Sequence, residues 1–430
     1  VDRNKILFKN ISLGLIYKTI NIGIVFVNIP LILNYLEEEK YGIWVTIFSV
    51  VNIVFSMDGG IGNGLKTKLA SAISVNDLQL SKSYIATSYV IVASTSLIIF
   101  FLLGLATFFL NLKTFLNTSL ENSELKLIFS LTVIMITIGF VLNLYKSFFY
   151  AKHEAAKIEL SMLLCQIIIF SSVVCLLYYF PSNLLFIALV YGISNILIAL
   201  VFTTLFFKEN PDLIPSLSDF KKSKVKELMG LSINFFIIQL SLIVILSTDN
   251  LIISNSLGPE EVTSYDVVYK LFTLLITLSV IFQDPFWALY TDAYKKNDFI
   301  WIKKTIKRLN YLFVPFCLIV LLLFLFSDYF IKVWLQRNLD ISKELIFFTS
   351  IFVLIRVYSV IYTQFLNAIG VIKLQMWLYV FGAIINIPLS YYFVQNLNLG
   401  NSGVVLGTIC SLISIALILP FQTYKLLKSK

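Results

Sequence analysis

The chain has 430 residues, 58% hydrophobic and only 13% charged, which is more apolar surface than one soluble core of this length buries, so lipid must be part of its solvent. Cys165, Cys175, Cys317 and Cys410 lie in apolar runs without a CxxC pair, which excludes a disulfide framework and a zinc site and makes them read as small core hydrophobes. The net charge of +9 sits in short loops and not in a patch interleaved with aromatics, which excludes nucleic acid as a partner.

A membrane-spanning helix needs roughly 20 mainly apolar residues. Breaking the chain at charged and Gly/Pro-rich points predicts spans near 10–36, 41–65, 83–111, 124–150, 157–180, 183–207, 229–256, 262–291, 308–327, 343–369, 373–395 and 402–424. The expected fold class is all-α integral membrane, with about twelve transmembrane helices in two six-helix bundles. The first apolar segment is too long for a signal-peptide core and is followed at once by another span, so it is expected to stay in the protein. Most of the 33 Lys and Arg fall on the N-terminal side of the membrane, which predicts that both termini are cytoplasmic. The stretch from Lys208 to Glu227 holds Pro211, Pro215, Lys221, Lys222, Lys224 and Lys226. It predicts an N-terminal bundle over 1–207, a cytoplasmic basic linker over 208–228 and a C-terminal bundle over 229–430. The linker reads either as a binder of anionic lipid heads or as a plain positive-inside connection.

The halves repeat one pattern. Leu36-Glu37-Glu38-Glu39-Lys40-Tyr41, Asp58 and Asn76-Asp77 in the first half match Leu257-Gly258-Pro259-Glu260-Glu261, Tyr265, Asp284 and Asn297-Asp298 in the second, at offsets of 221–226 residues. An even number of spans per copy gives a parallel repeat, and transporters built this way bind substrate between their halves.

Two weaker signals carry no chemistry. Gly59-Gly60-Ile61-Gly62-Asn63-Gly64 follows an apolar helix, with Leu65 where a phosphate loop needs lysine, so it reads as glycines allowing close turning at a helix end. His153, the sole histidine, has no second His or Cys nearby to share a metal. No cofactor is expected.

Three stretches carry a resemblance. Thr248-Asp249-Asn250-Leu251-Ile252-Ile253 with Leu257-Gly258 and Val262-Thr263-Ser264-Tyr265, then Pro285-Phe286-Trp287-Ala288-Leu289-Tyr290-Thr291-Asp292-Ala293-Tyr294, and earlier Tyr41-Gly42-Ile43-Trp44 with Asp58-Gly59-Gly60-Ile61-Gly62, are together similar to Wzx-type O-antigen flippases; Leu366-Asn367-Ala368-Ile369-Gly370 also fits. The resemblance implies the fold of multidrug and toxic-compound extruders and polysaccharide exporters. It also implies a bacterial cytoplasmic-membrane protein that flips an undecaprenyl-diphosphate-linked sugar unit to the periplasmic leaflet. The partners implied are that lipid-linked oligosaccharide, membrane lipids and polysaccharide polymerase or assembly proteins.

An ionisable side chain at mid-span costs about 2.5–3.5 kcal/mol on insertion scales and is a functional candidate by default. Arg356, Lys18 and Lys270 would make a cavity positive and suit a diphosphate, Arg356 best because a guanidinium pairs two phosphate oxygens at once. Each has an alternative: Arg356 as a structural cap, Lys18 snorkelling to the cytoplasmic face, Lys270 neutralised by Asp266 four residues before it. Asp249 is the candidate for a coupling proton or Na⁺, or else a hydrogen-bonded structural acid. Asp58 and Asp284, repeat-equivalent, suit a gate made of switching salt bridges, or static helix-end contacts. Pro30, Pro315 and Pro388 inside spans read as hinges or as fixed kinks. Transport is the expected activity, with a drug or organic-cation antiporter of the same fold as the alternative. An enzyme is disfavoured because the outer loops are short and hold no paired carboxylates or His constellation.

Overall fold

The computed structural model describes residues 3–56, 61–152, 154–229, 233–283 and 286–428; Asp58, His153, Asp284 and Pro285 lie outside them. The described residues are helical almost throughout, as an apolar chain in lipid requires, since only helices and closed barrels satisfy every backbone polar group there.

Helix α1 (Arg3–Ser56) is broken at Glu37, whose backbone sits at φ 64°, ψ 178°. Its apolar part, Ser12–Phe55, has 44 residues, roughly 66 Å if straight, or twice a hydrocarbon core. It therefore supplies two crossings. With the other long apolar helices, eleven in all among the described residues, the fold has twelve crossings.

The chain divides into two compact units, Val1–Ile233 and Asn234–Lys430. In the first, α1 is followed by α2 (Ile61–Ser74), α3 (Leu78–Phe109), the short α4 (Leu112–Leu116), α5 (Asn122–Leu142), α6 (Tyr145–Ala151), α7 (Ala155–Tyr179) and α8 (Leu184–Glu209). The predicted linker forms 3-10 turns at Pro211–Leu213 and Leu217–Asp219 and then α9 (Lys222–Met229), which lies against α2 and α3. Helix α1 packs along α7, while α3 and α8 pack on α5. Phe148, Phe149 and Phe206 are fully buried where α6 meets α8, with ring centroids 5.2 Å (Phe148–Phe206) and 5.4 Å (Phe149–Phe206) apart.

The second unit runs α10 (Ile233–Ser247), α11 (Asp249–Leu257), α12 (Pro259–Gln283), α13 (Phe286–Lys295), α14 (Phe299–Leu325), α15 (Ser327–Leu335), α16 (Lys343–Ala368), α17 (Lys373–Tyr391) and α18 (Asn401–Lys428). Helix α18 lies against α16 and α17. A Cβ at Gly382 of α17 would stand 2.5 Å from the Ser411 carbonyl oxygen of α18, so the helices approach this closely only because position 382 has no side chain.

The repeat is written in the backbone. Glu37, Asn76 and Asn117 have positive φ in the first unit; Gly258, Asn297 and Gln336 have it at the corresponding turns of the second, 221, 221 and 219 residues later. Asp77 caps α3 by accepting the Leu80 N–H at 2.9 Å, and Asp298 caps α14 by accepting the Trp301 N–H at 3.0 Å, each worth about 1 kcal/mol.

Several boundaries differ from expectation. The span predicted at 308–327 belongs to a helix that starts at Phe299, because the Asp298 cap nucleates it ahead of the apolar run. The span predicted at 262–291 falls on α12 and α13, with residues 284–285 between them outside the described residues. The span at 124–150 is two helices; Asn143 Nδ2 donates to the Gly139 carbonyl at 2.8 Å, one turn back, and the ladder restarts at α6. Of the cysteines only Cys165 is buried; Cys175 is exposed, the other two are half-buried, and core packing does not describe them all.

Candidate functional site

Asp249 opens α11, just after α10 ends at Ser247, and is 1% exposed. Its Oδ2 accepts from Tyr265 Oη at 2.9 Å, and Thr408 Oγ1 stands 3.2 Å from Oδ2 and 3.3 Å from Oδ1. Thr408 accepts in turn from Asn386 Nδ2 at 3.2 Å. Elements α11, α12, α17 and α18 thus converge on one carboxylate. Tyr265 stacks on Tyr269 (5.5 Å, 21°), and Tyr269 on Phe352 of α16 (5.8 Å, 27°). No cation pairs with Asp249 among the described residues. A carboxylate held by hydroxyls alone, inside an apolar helix bundle, can exchange a proton or a small cation.

The repeat partner of Asp249 is neutral. Asp249 stands nine residues before the turn at Gly258; nine residues before the break at Glu37 stands Asn28, 1% exposed, whose side-chain N and O find no hydrogen-bond partner among the described residues.

The cations named from sequence fall in different settings. Lys270 Nζ lies 2.6 Å from Asp266 Oδ2, an ion pair one helical turn long. Arg356, half-buried in α16, has neither a hydrogen bond nor an ion pair among the described residues, and Tyr269 lies within its electrostatic reach. Lys18 in α1 is half-buried, and Glu159 of α7 lies in the field of both Lys18 and Lys146. Lys18 belongs to the first unit, Lys270 and Arg356 to the second. Asp58 and Asp284, named as gating acids, lie outside the described residues.

Sequence reasoning missed a polar cavity of about 410 Å³ inside the first unit. Its walls carry two cations, Lys66 of α2 and Lys146 of α6, and three amides, Asn52 of α1, Asn143 at the end of α5 and Asn195 of α8. Lys66 Nζ lies 5.3 Å over the Tyr150 ring, and Lys146 Nζ 5.9 Å over that of Tyr145. Hydrophobic walls with a few convergent polar groups describe a ligand pocket in general, and two ammonium groups select an anionic one. The signal was present: Lys146 falls inside the apolar run 124–150, 221 residues before Asn367 of the Leu366-Asn367-Ala368-Ile369-Gly370 stretch.

The second unit has a cavity at the corresponding place, between α12, α14 and α16, of about 260 Å³. Phe313 and Ile361 line it 221 residues after Val92 and Phe140 line the first. Its walls are Leu, Phe, Ile and Val with only Ser279 and Gln283 polar.

Outside the spans, Glu227 of α9 accepts from Lys224 Nζ at 2.7 Å and from Tyr84 Oη at 2.6 Å. Those two donors, Lys224 first, hold its carboxyl below the usual carboxylate range.

Compared with known proteins, residues 7–284 match the family model described as polysaccharide biosynthesis protein, and residues 235–392 match the MatE model. A Salmonella typhimurium LT2 protein provisionally named an O-antigen transporter is 26% identical over 405 residues, covering 92% of this chain and 90% of that protein. A Yersinia pseudotuberculosis protein provisionally named an O-antigen export protein is 25% identical over 426 residues, covering 94% and 93%. Among solved structures, an inward-facing multidrug resistance MATE transporter of the MOP superfamily superposes with a TM-score of 0.77 at 15% identity, covering 94% of this chain and 95% of its own. A MOP superfamily transporter from Pyrococcus furiosus, reported with a binding pocket of reversed polarity, gives 0.64 at 17% identity, covering 94% and 95%. These structural likenesses show the fold.

Proposed function

Because the chain belongs to the polysaccharide biosynthesis protein family, an O-antigen transporter family of the MOP superfamily with a MATE-like fold and not a family of enzymes, we propose that this multi-pass membrane protein is a lipid-linked oligosaccharide flippase. It carries an undecaprenyl-diphosphate-linked unit of O-antigen or a related surface polysaccharide from the cytoplasmic to the outer leaflet by alternating access, with both termini cytoplasmic. The observation that carries the reading is the nearly full-length similarity to proteins named for O-antigen transport and export.

The site chemistry supports it. A diphosphate needs cations and a sugar needs amides and hydroxyls, and the cavity with Lys66, Lys146, Asn52, Asn143 and Asn195 offers both. Arg356 and Lys18 add positive charge elsewhere on the route, and Lys270 joins them when it exchanges Asp266 for phosphate. Asp249 binds the coupling proton or Na⁺ through its Tyr265 and Thr408 partners, and Asp58 and Asp284 act as gates. Polymerase or assembly proteins take the unit on the far side.

Deletion of the gene in its host tests the reading. Loss of surface glycan with accumulation of the lipid-linked precursor, restored by the wild-type chain, is the expected result; a deletion strain with normal surface glycan overturns it.

A further inference from the structure

The first turns of α3 and α14 are repeat equivalents, each opening on an asparagine with positive φ and an aspartate cap. In the first unit this face is covered by the chain itself. Ser83, Ala86 and Thr87 are buried beneath the turn Leu217–Asp219 and α9: Lys221 N–H donates to Thr87 Oγ1 at 3.3 Å and Tyr84 Oη to Glu227 Oε2 at 2.6 Å.

In the second unit the residues 221 positions later are Lys304, Lys307 and Arg308, and Lys303 corresponds to Lys82. All four cations are exposed, and none has an ion pair or a carboxylate partner among the described residues. Spacings of one, four and five residues put them on one side of α14. There the pairs Lys303/Lys307 and Lys304/Arg308 repel along the helix. Lys307 Nζ lies 5.8 Å over the Tyr311 ring, and beyond Tyr311 the helix is exposed and apolar through Leu312, Leu318, Leu322 and Leu325. From Arg308 to Leu325 the helix rises about 26 Å, close to a hydrocarbon core of about 30 Å. The cations therefore stand where that core ends and headgroups begin.

We propose that this face of α14 binds the anionic headgroups of phospholipids, which cover it as the linker covers the first unit's face and, in addition, cancel its charge. The apolar stretch beyond Tyr311 takes the acyl chains, and the ammonium and guanidinium groups take the phosphodiesters. The inference is independent of the cargo.

The test uses the full chain in phosphatidylcholine nanodiscs with and without phosphatidylglycerol, reading acylation of Lys303, Lys304 and Lys307 by mass spectrometry and retained lipid by native mass spectrometry. Phosphatidylglycerol should slow acylation of these lysines and be retained in preference to phosphatidylcholine. Each charge removed in the series ending at K303Q/K304Q/K307Q/R308Q should weaken that preference about fivefold. Equal acylation in both discs overturns the proposal, and so does a quadruple variant with the wild-type lipid preference. Protection that grows with protein concentration in phosphatidylcholine alone also overturns it, assigning the face to a second copy of the chain. The acylation arm needs no variant, so it decides even if the quadruple substitution fails to fold.

Discussion

The two units keep the same turns and diverge in what fills the space between their helices. The first unit's cavity, lined from α1, α2, α3, α5, α6 and α8, presents Lys66, Lys146 and three asparagines; the corresponding cavity among α12, α14 and α16 presents Phe313, Phe316 and leucines. At the buried turn the polarity runs the other way, with neutral Asn28 in the first unit and Asp249 with its hydroxyl partners in the second. The comparison teaches that the repeat conserves what backbone geometry demands, while each copy specialises its side chains. The cationic pocket lies in one copy and the buried acid with hydroxyl partners in the other.

Exchanging chemistry between the copies tests that division, and the largest effect is expected in the cationic cavity. Lys146→Leu, which gives the first cavity the character of the second, should lower transport by roughly tenfold or more, the loss expected for one charge-assisted contact, with the protein still folded. The control in the other copy, Phe313→Val, which matches Val92, should leave transport within about twofold and reduce stability by about 1 kcal/mol. Transport assays beside detergent-solubilised melting curves separate the two, and equal transport loss in both variants would break the comparison.

The next effect concerns the acids. Asp249→Asn makes the second unit resemble the first and should abolish the dependence of transport on the coupling ion without unfolding the chain. Asn28→Asp is its converse. It places a carboxylate at a buried position where the native amide finds no hydrogen-bond partner among the described residues, and should cost about 3 kcal/mol of stability, read as a lowered melting temperature. A stable Asn28→Asp protein would mean that the two sites are less different than their hydrogen bonding indicates.

The smallest effect is at the covered face of α3. Glu227 is held ionised by Lys224 and Tyr84, so its contribution is present above the ordinary carboxylate range and is lost as pH falls through its lowered value. Being partly exposed, this contact is worth about 0.5 kcal/mol or less. Protection of α9 amides, taken relative to the intrinsic exchange rate at each pH, should fall at acid pH in the wild type and be already lowered, and pH-independent, in Glu227→Gln.

Much of this architecture was legible in the residues. Apolar runs of spanning length located the crossings, and the pairs Asn76-Asp77 and Asn297-Asp298 marked the repeat; the structure adds that each is a turn and a cap, asparagine taking the positive φ and aspartate accepting from a helix N–H. Where α14 begins was not legible, since Lys303, Lys304, Lys307 and Arg308 look like a loop until the Asp298 cap is seen to start the helix before them. Asp249 was readable as an ionisable residue in an apolar run, and Tyr265 stood in the same stretch. Thr408 and Asn386 were not readable, because a neutral side chain well over a hundred positions away gives no sequence sign that it faces a carboxylate. Lys66 and Lys146 escaped notice because cations near span ends read first as topology signals. The pairing of Lys270 with Asp266 was legible in their four-residue spacing, whereas only the structure shows Arg356 without a carboxylate among the described residues.

The most direct test of the central claim is transport of a radiolabelled undecaprenyl-diphosphate oligosaccharide into proteoliposomes under a proton or a Na⁺ gradient. Wild type should translocate it, Lys146→Leu and Arg356→Ala should lose most of that activity while folded, and Asp249→Asn should lose its response to the gradient. Correctly inserted wild-type protein that moves no such lipid under either gradient would contradict the account.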